Sequence, residues 1–220
     1  MSSRRFGVEI ECGNRNFGAV QCRELLRRHH IQGVNSVGHD GSGIEIRTRP
    51  LLGRDGFKIL DELMHFLRER GCYTDAVDGM HVHHDTPELI HNIPLQAQLV
   101  RSWYDNQNLV NTFVNRRRRR YGACPPWTED EVYWLEQDIL FNGIRKNLNL
   151  NSLELYGTVE MRLHEGTLDF DKAEAWIKFG QYFISNVLTR KRPLPACADS
   201  AMLLRRIRAP KASVQRYVHH

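Results

Sequence analysis

The chain has 220 residues, of which 41% are hydrophobic, and a formal net charge of +5. It is long enough for one domain with a sizeable core, and no segment approaches the roughly 20 apolar residues of a membrane span. The five cysteines are irregularly spaced, which argues against a disulfide framework, and the N-terminus lacks the apolar run of a secretory signal. We therefore expect a protein of the reducing cytoplasm with no membrane partner, and the positive charge favours anionic partners.

The first half of the chain reads as strands and helices in mixed order. Apolar residues at helical spacing mark the clearest helix, which stops at Gly71. A turn from His39 to Gly43 precedes a strand. In chain order, the predictions are strand 5–12, helix 18–30, strand 43–48, a helix around 57–67 and strand 80–85.

The second half is more helical. Residues 87–119 are predicted to be mostly helix with a break near Pro94. A capping-box pattern predicts a helix from Thr128 to about Arg145. The remaining predictions are strands 148–150 and 157–164 joined by a turn near Gly157, then helices 171–189 and 199–208.

Strands mixed with helices, without strict alternation, predict an α+β domain. We expect residues 1–190 to form a single domain and residues 191–220 a basic C-terminal extension. The helices should pack on the apolar side of the sheet and leave the other side as a concave site.

Four short stretches alternate apolar with ionisable residues. Successive side chains of a strand point to opposite faces, so the ionisable residues of each stretch share one face. Ordinary solvent faces carry Thr, Ser, Lys and Gln, whereas this face is made mainly of Glu, His and Arg and lacks Lys. The predicted charged face carries Glu9, Glu11, Glu45, Arg47, His81, His83, Glu160 and Arg162.

This residue set suits divalent metal and phosphate. Glu9 and Glu11 lie about 7 Å apart along one strand, and nearby carboxylates repel unless a cation lies between them. A donor set dominated by carboxylates favours Mg²⁺ or Mn²⁺ over structural Zn²⁺. Arg162, two residues after Glu160, suits the charge of a transferring phosphoryl group.

Each motif also has an ordinary structural explanation. A single Glu-x-Glu pair is commonly a solvated strand edge, and Glu160 with Arg162 could be a cross-strand ion pair. Four separate strands place their ionisable residues on the same face, and this recurrence favours a functional site over these explanations. The run Arg116 to Arg120 makes a nucleic-acid partner possible, but arginines all round a helix form no single stripe, so that partner is not favoured. Asp40, in the predicted turn, could reach the metals.

The ordered motifs resemble the amidoligase family of carboxylate–amine ligases, whose sheet is similar to that of glutamine synthetase and of glutamate–cysteine ligases. The resemblance covers residues 6–180 and implies a curved antiparallel sheet with helices on its convex face. The motifs are Phe6 to Glu11, Asp40 to Ser42 with Glu45, Gly79 to His83, Leu148 to Leu150, Gly157 to Arg162 and Glu165 to Asp169.

The resemblance implies ATP-dependent amide or peptide bond formation, in which phosphate passes to a carboxylate and an amine attacks the acyl phosphate. ATP and Mg²⁺, or Mn²⁺, are the implied cofactors. His83, Arg162 and Arg47 would contact the nucleotide, with Arg162 and Glu45 serving catalysis. Asn149, Arg120 and Asp40 are candidates for substrate contact. The implied metal ligands are Glu9, Glu11, Glu45, His81 and Glu160.

Two other functions use the same residues. A metal-dependent nuclease or phosphoesterase would use the Glu and His face, with the arginine run holding nucleic acid. A non-enzymatic nucleic-acid-binding module would need the arginine run and be indifferent to Glu9. The carboxylates would repel a polyanion in the absence of metal, which counts against the binding module. The match of the ordered motifs favours the ligase over the nuclease. The acid and the amine are expected to be small molecules or peptides. Their identities and the oligomeric state of the protein are left open.

Overall fold

The structure is a computed structural model that describes residues 4–40, 43–75, 77–114, 124–139 and 145–210. Within these residues the chain forms an α+β fold with one six-stranded antiparallel sheet and seven α-helices. The strands are β1 (Phe6–Cys12), β2 (Val34–Asp40), β3 (Gly43–Thr48), β4 (Met80–Asp85), β5 (Leu148–Asn149) and β6 (Thr158–Met161). The helices are α1 (Ala19–Arg28), α2 (Gly53–Glu69), α3 (Ile93–Val110), α4 (Glu129–Glu136), α5 (Ser152–Tyr156), α6 (Phe170–Leu188) and α7 (Ser200–Arg206).

The sheet has the strand order β2-β3-β1-β4-β6-β5, and every neighbouring pair is antiparallel. The central strand β1 lies between β3 and β4. In this register Glu9 lies opposite both Arg47 on β3 and His81 on β4. Four predicted strands therefore become neighbours with their ionisable residues in register.

The apolar face of the sheet is covered by helices. Along β1 every second residue is buried, and Ile10 is fully inaccessible to solvent. Helix α6 contacts β4 and α2, and contributes the fully buried Trp176 and Phe179. Helix α1 contacts β2 and β3. Because hydrophobic burial draws the helices to this face, the charged face stays uncovered by them.

Several predicted boundaries are wrong. His39 lies within β2, a strand that the sequence analysis did not predict. A short helix, α5, separates β5 from β6 where a turn was predicted, and Gly157 ends that helix with a positive φ of 65°. The predicted break near Pro94, by contrast, is confirmed: a 3₁₀ turn ends at Leu89 and α3 begins at Ile93. Pro94 lies in the first turn of α3, where proline is tolerated because the backbone N–H has no helical partner. Helix α4 ends at Glu136, earlier than predicted.

The part of the chain after residue 190 contributes to the same core. Leu194, Leu203 and Ile207 are buried. The division at residue 190 and the curvature of the sheet stay predictions. No helix among the described residues is long and apolar enough to span a bilayer, and all five cysteines are free thiols.

Candidate functional site

A cavity of about 830 Å³ opens over the charged face of the sheet. Its lining includes side chains from β1, β3, β4 and β6, together with residues of α5. The volume lies within the range of about 300–1,000 Å³ that is common for sites binding small molecules. The uncovered face of the sheet is thus also a concave site.

Glu9 lies at the centre of this cavity, on the middle strand. Its Oε1 accepts a hydrogen bond from Arg47 Nε at 3.1 Å, and its Oε2 is 3.3 Å from His81 Nδ1. His83 Nε2 is 3.5 Å from Glu9 Oε1. Burial raises the pKa of Glu9, but hydrogen bonds and charge interactions with the two histidines outweigh it and hold the pKa well below its usual range. Glu9 is therefore an anionic carboxylate across the physiological pH range.

Glu160 is the most tightly held carboxylate of the site, with a side chain only 4% exposed. Asn149 Nδ2 and Ser152 Oγ donate to its Oε2 at 2.7 and 3.3 Å. Arg162 donates from Nη1 to its Oε1. Asn149 lies opposite Glu160 in the β5–β6 pairing, so this residue too faces the cavity. These contacts fix the carboxylate in one position without satisfying every lone pair of Oε1.

Glu11 and Glu45 form the other end of the carboxylate group, opposite each other on β1 and β3. Glu11 Oε2 accepts a hydrogen bond from the backbone N–H of Gly79 at 2.5 Å. Glu45 is paired with Arg47. The two carboxylates therefore share a small region while each has a donor of its own, which offsets part of their repulsion.

The donor geometry fits a divalent cation. One ligand atom from each of Glu9, His83 and Glu160 lies within 4.8 Å of the others. The buried His81 Nε2 has no hydrogen-bond partner among the described residues, and Glu11 Oε1 is 3.5 Å away from it. Among the described residues, the lining of the cavity carries five carboxylates and four guanidinium groups, so negative charge is in slight excess: Glu9, Glu11, Glu45, Asp85 and Glu160 against Arg5, Arg47, Arg145 and Arg162. Oxygen ligands with one or two imidazoles match Mg²⁺ or Mn²⁺.

Arg162 places a fixed cation beside this donor group. Its side chain is 13% exposed, and its Nε lies 3.2 Å from Cys124 Sγ. Burial lowers the pKa of Arg162, but the neighbouring Glu160 carboxylate outweighs it, and the net direction is upward. The guanidinium is therefore always charged and has a defined orientation.

Most residues predicted for the site come together in the cavity. His83, predicted to contact phosphate, belongs to the closest donor group, whereas His81, predicted as a ligand, lies between Glu9 and Glu11. Asp40 ends β2, but its side chain and all of Arg120 lie outside the described residues. The cavity is lined by the predicted residues Glu9, Glu11, Glu45, Arg47, His81, His83, Asn149, Glu160 and Arg162.

The sequence analysis missed several residues that line the cavity. Ser152 and Tyr156 lie on α5, and Ser36 and His39 lie on β2. These elements carry no regular alternation, so periodicity gave no signal for them. The polar residues Asn149, Asn151 and Ser152, close in sequence to a charged strand, are the feature that could have indicated the α5 contacts.

Comparisons with known proteins give a family and a likeness to solved structures. No curated protein matches this chain. Among solved structures, a bifunctional glutathione synthetase from Pasteurella multocida is similar, with a TM-score of 0.49 and 13% identity. The likeness covers 99% of this chain and 46% of that one, so the chain spans about half the length of that protein. The family model described as "Putative amidoligase enzyme" matches residues 26–184, which include β3, β4 and β6 of the cavity. The chain therefore belongs to the amidoligase family.

Proposed function

We propose that the protein is an ATP- and Mg²⁺-dependent carboxylate–amine ligase that forms an amide or peptide bond through an acyl phosphate. Membership of the amidoligase family supports carbon–nitrogen ligation in general. The proposal goes beyond carbon–nitrogen ligation in three respects. These are the dependence on ATP and metal, the acyl-phosphate intermediate, and a catalytic sheet like that of glutamine synthetase.

The observation that carries this proposal is the convergence of acidic and basic groups in one cavity. Glu9, His83 and Glu160 bring ligand atoms within 4.8 Å of one another. Arg47 and Arg162 lie on either side of them in the sheet order, on β3 and just after β6. Transfer of a phosphoryl group needs this combination, because metal and arginine together compensate the charge on its oxygens.

The position of each residue in the cavity suggests its role. Glu9, Glu11, Glu45, His81 and Glu160 would hold the metal ions, which neutralise phosphate charge when bound. His83 lies near enough to Glu9 and Glu160 to bind either metal or a phosphate oxygen. Arg162, held by Glu160, would orient the transferring phosphoryl group, and Arg47 would bind phosphate or the acceptor carboxylate.

The substrates proposed are a carboxylate and an amine of small-molecule or peptide size. Asn149 is in contact with Glu160 and its amide would help to position substrate as well as the carboxylate. The cavity volume of about 830 Å³ lies towards the upper end of the usual range for small-molecule sites, which supports a site where acid and nucleotide lie together.

Calorimetric titration of ATP tests the proposal without knowledge of the substrates. We expect wild type to bind ATP in Mg²⁺ and the Glu11→Gln variant to bind it at least tenfold more weakly in Mg²⁺. The matched control Glu24→Gln, on the exposed face of α1, should bind as wild type does. Screening acid–amine pairs for ADP release then identifies the reaction.

Two outcomes would overturn the proposal. If folded wild-type protein binds ATP in neither Mg²⁺ nor Mn²⁺, an ATP-dependent ligase is excluded. Metal-dependent cleavage of nucleic acid without ATP, lost in Glu9→Gln, would instead assign the face to a nuclease.

A further inference from the structure

Tyr156 is a large side chain that the fold leaves uncovered at the rim of the cavity. It is 70% exposed and lines the cavity together with Leu155, which is 75% exposed. Both residues lie on α5, which connects the edge strand β5 to its neighbour β6. An exposed aromatic and an exposed leucine side by side at a cavity are a surface on which an apolar or planar group can pack.

The tyrosine ring is placed next to the phosphate-binding part of the site. Its centroid is 6.2 Å from that of the His83 ring, and the two rings are perpendicular at 89°. The rings therefore do not stack on each other. His83 is itself oriented by Thr158, whose Oγ1 is 3.0 Å from Nδ1. A planar ligand next to Tyr156 would thus lie close to His83, which belongs to the proposed metal-binding residues.

Gly7 leaves the sheet bare beside this tyrosine. It lies on β1 opposite His83 and two residues before Glu9, so it belongs to the cavity face. A Cβ at this position would meet only His83 Cβ, at an ordinary contact distance of 3.8 Å. Gly7 is also not among the glycines with positive φ. Neither packing nor backbone conformation requires glycine here, although glycine weakens a strand interior.

We propose that the base of ATP lies over Gly7 and packs against Tyr156, with the phosphates extending along the sheet to Glu9 and Glu160. This inference rests on the proposed function, and it assigns an orientation to the nucleotide in the cavity. Glycine at position 7 lets the nucleotide approach the backbone closely, which explains its presence in a strand. The acceptor carboxylate then enters from the opposite end, between Arg47 and β2.

The first test separates recognition of the base from recognition of the phosphates. ATP and inorganic tripolyphosphate are titrated into the protein in Mg²⁺. We expect Tyr156→Leu to weaken ATP binding by about tenfold or more, because stacking of one base contributes that much, and to leave tripolyphosphate binding unchanged. Tyr156→Phe should retain ATP binding. The matched control Tyr133→Leu, at an exposed tyrosine of α4 away from the cavity, should bind both ligands as wild type does.

The second test fills the space over the strand. Gly7→Val adds a side chain where the nucleotide would lie, and valine favours strands. We expect an unchanged or higher melting temperature, at least tenfold weaker ATP binding and retained tripolyphosphate binding. Tyr133→Leu, which lies outside the cavity, is again the control.

The outcomes distinguish this inference from the function on which it rests. If wild type binds ATP and both Tyr156→Leu and Gly7→Val retain that affinity, the base site is overturned while the ligase proposal stands. Equal losses of ATP and tripolyphosphate would also overturn it, since they would show a general defect. If folded wild type binds neither ligand, the proposed function fails and the base site fails with it.

Discussion

Arg162 and Glu160 constrain each other at the most buried part of the charged face. The arginine donates to Glu160 Oε1, the same oxygen that lies 3.8 Å from His83 Nε2. A cation bound near this oxygen would share it with the guanidinium. Like charges compete for one carboxylate, so under the proposed function the arginine would weaken metal binding while it supports phosphoryl transfer.

This opposition predicts two effects of opposite sign for Arg162→Gln. We expect the affinity for Mn²⁺ to rise severalfold, because a positive charge beside Glu160 is lost. We expect kcat for ADP formation to fall by about 100-fold or more, since a donor to the transferring group is lost. Calorimetry with Mn²⁺ and a coupled ADP assay measure the two quantities.

The control for this prediction is Arg101→Gln on α3, whose partners Glu129 and Glu136 lie outside the cavity. It should change neither quantity. A parallel loss of metal affinity and turnover in Arg162→Gln would mean that the arginine only maintains the local structure.

At the scale of elements, α6 approaches the sheet closely at one glycine. A Cβ on Gly180 would lie 2.6 Å from Met161 Sδ and 2.9 Å from His84 Cε1. Both neighbours are completely buried and have no free space to move into. The glycine therefore allows the helix to pack directly against β4 and β6.

Gly180→Ala should destabilise the protein by about 1–3 kcal/mol through overpacking. Helix propensity alone predicts the opposite sign, a gain of about 1 kcal/mol, so the experiment decides between them. Denaturant unfolding measures the free energy. Gly38→Ala, where the Cβ would have no neighbour within 4 Å, should stay within about 0.5 kcal/mol of wild type. A Gly180→Ala variant as stable as wild type would show that the core relaxes around the added methyl group.

The N-terminus of α4 is fixed by a carboxylate with two roles. Glu131 completes the capping box with Thr128, and Lys146 Nζ lies 2.5 Å from its Oε1. Burial raises the pKa of Glu131, but the hydrogen bonds from Lys146 and Thr128 outweigh it, so its pKa lies below the usual value. A lowered folded-state pKa stabilises the fold above the ordinary glutamate pKa, and this contribution disappears as pH falls through the folded value.

Glu131→Gln should therefore be less stable than wild type at pH 7, by roughly 1 kcal/mol, and the difference should shrink towards pH 3. Glutamine retains an acceptor for the Thr128 N–H, so the pH dependence isolates the charge. Melting temperatures across this pH range measure the effect. Asp130→Asn, in the same helical turn, should show no such convergence. A difference that is constant with pH would contradict the assignment to the Lys146 pair.

At the scale of the whole molecule, periodicity predicted those strands that are buried on one face. In β1, β3, β4 and β6 one face packs against the core, and apolar and ionisable residues therefore alternate along the sequence. In β2 the only fully buried apolar side chain is Val37, and the strand is specified by pairing with β3. Helix α5 has five residues, too few for a helical period to be visible.

The candidate site was predictable to the same extent as its strands. Register brought Glu9 next to His81, as a shared phase implied. Contacts from loops and short elements could not be predicted, because they depend on chain paths with no periodic signal. The approach of Cys124 to Arg162 is such a contact, between residues 38 apart in sequence.

The excess of carboxylates on the charged face links metal binding to the stability of the whole fold. Four glutamate carboxylates lie together on one side of the sheet, and a bound cation would share their charge with Arg47 and Arg162. A cation that binds the folded state but not the unfolded chain stabilises by mass action. We expect Mn²⁺ at 100 times its Kd to add about 2.7 kcal/mol, which corresponds to a rise of roughly 5–10 °C in Tm. Thermal unfolding after chelation, with and without added Mn²⁺, measures this rise.

The same experiment assigns the stabilisation to the cavity. Glu9→Gln removes a ligand from the donor group and should abolish most of the rise at the same Mn²⁺ concentration. Glu24→Gln, which removes an equal charge from an exposed helix, should show the full rise. An equal rise in both variants would indicate nonspecific charge screening, and no rise in wild type would exclude tight metal binding in the absence of nucleotide. Because the readout is stability, the result does not depend on knowing any substrate.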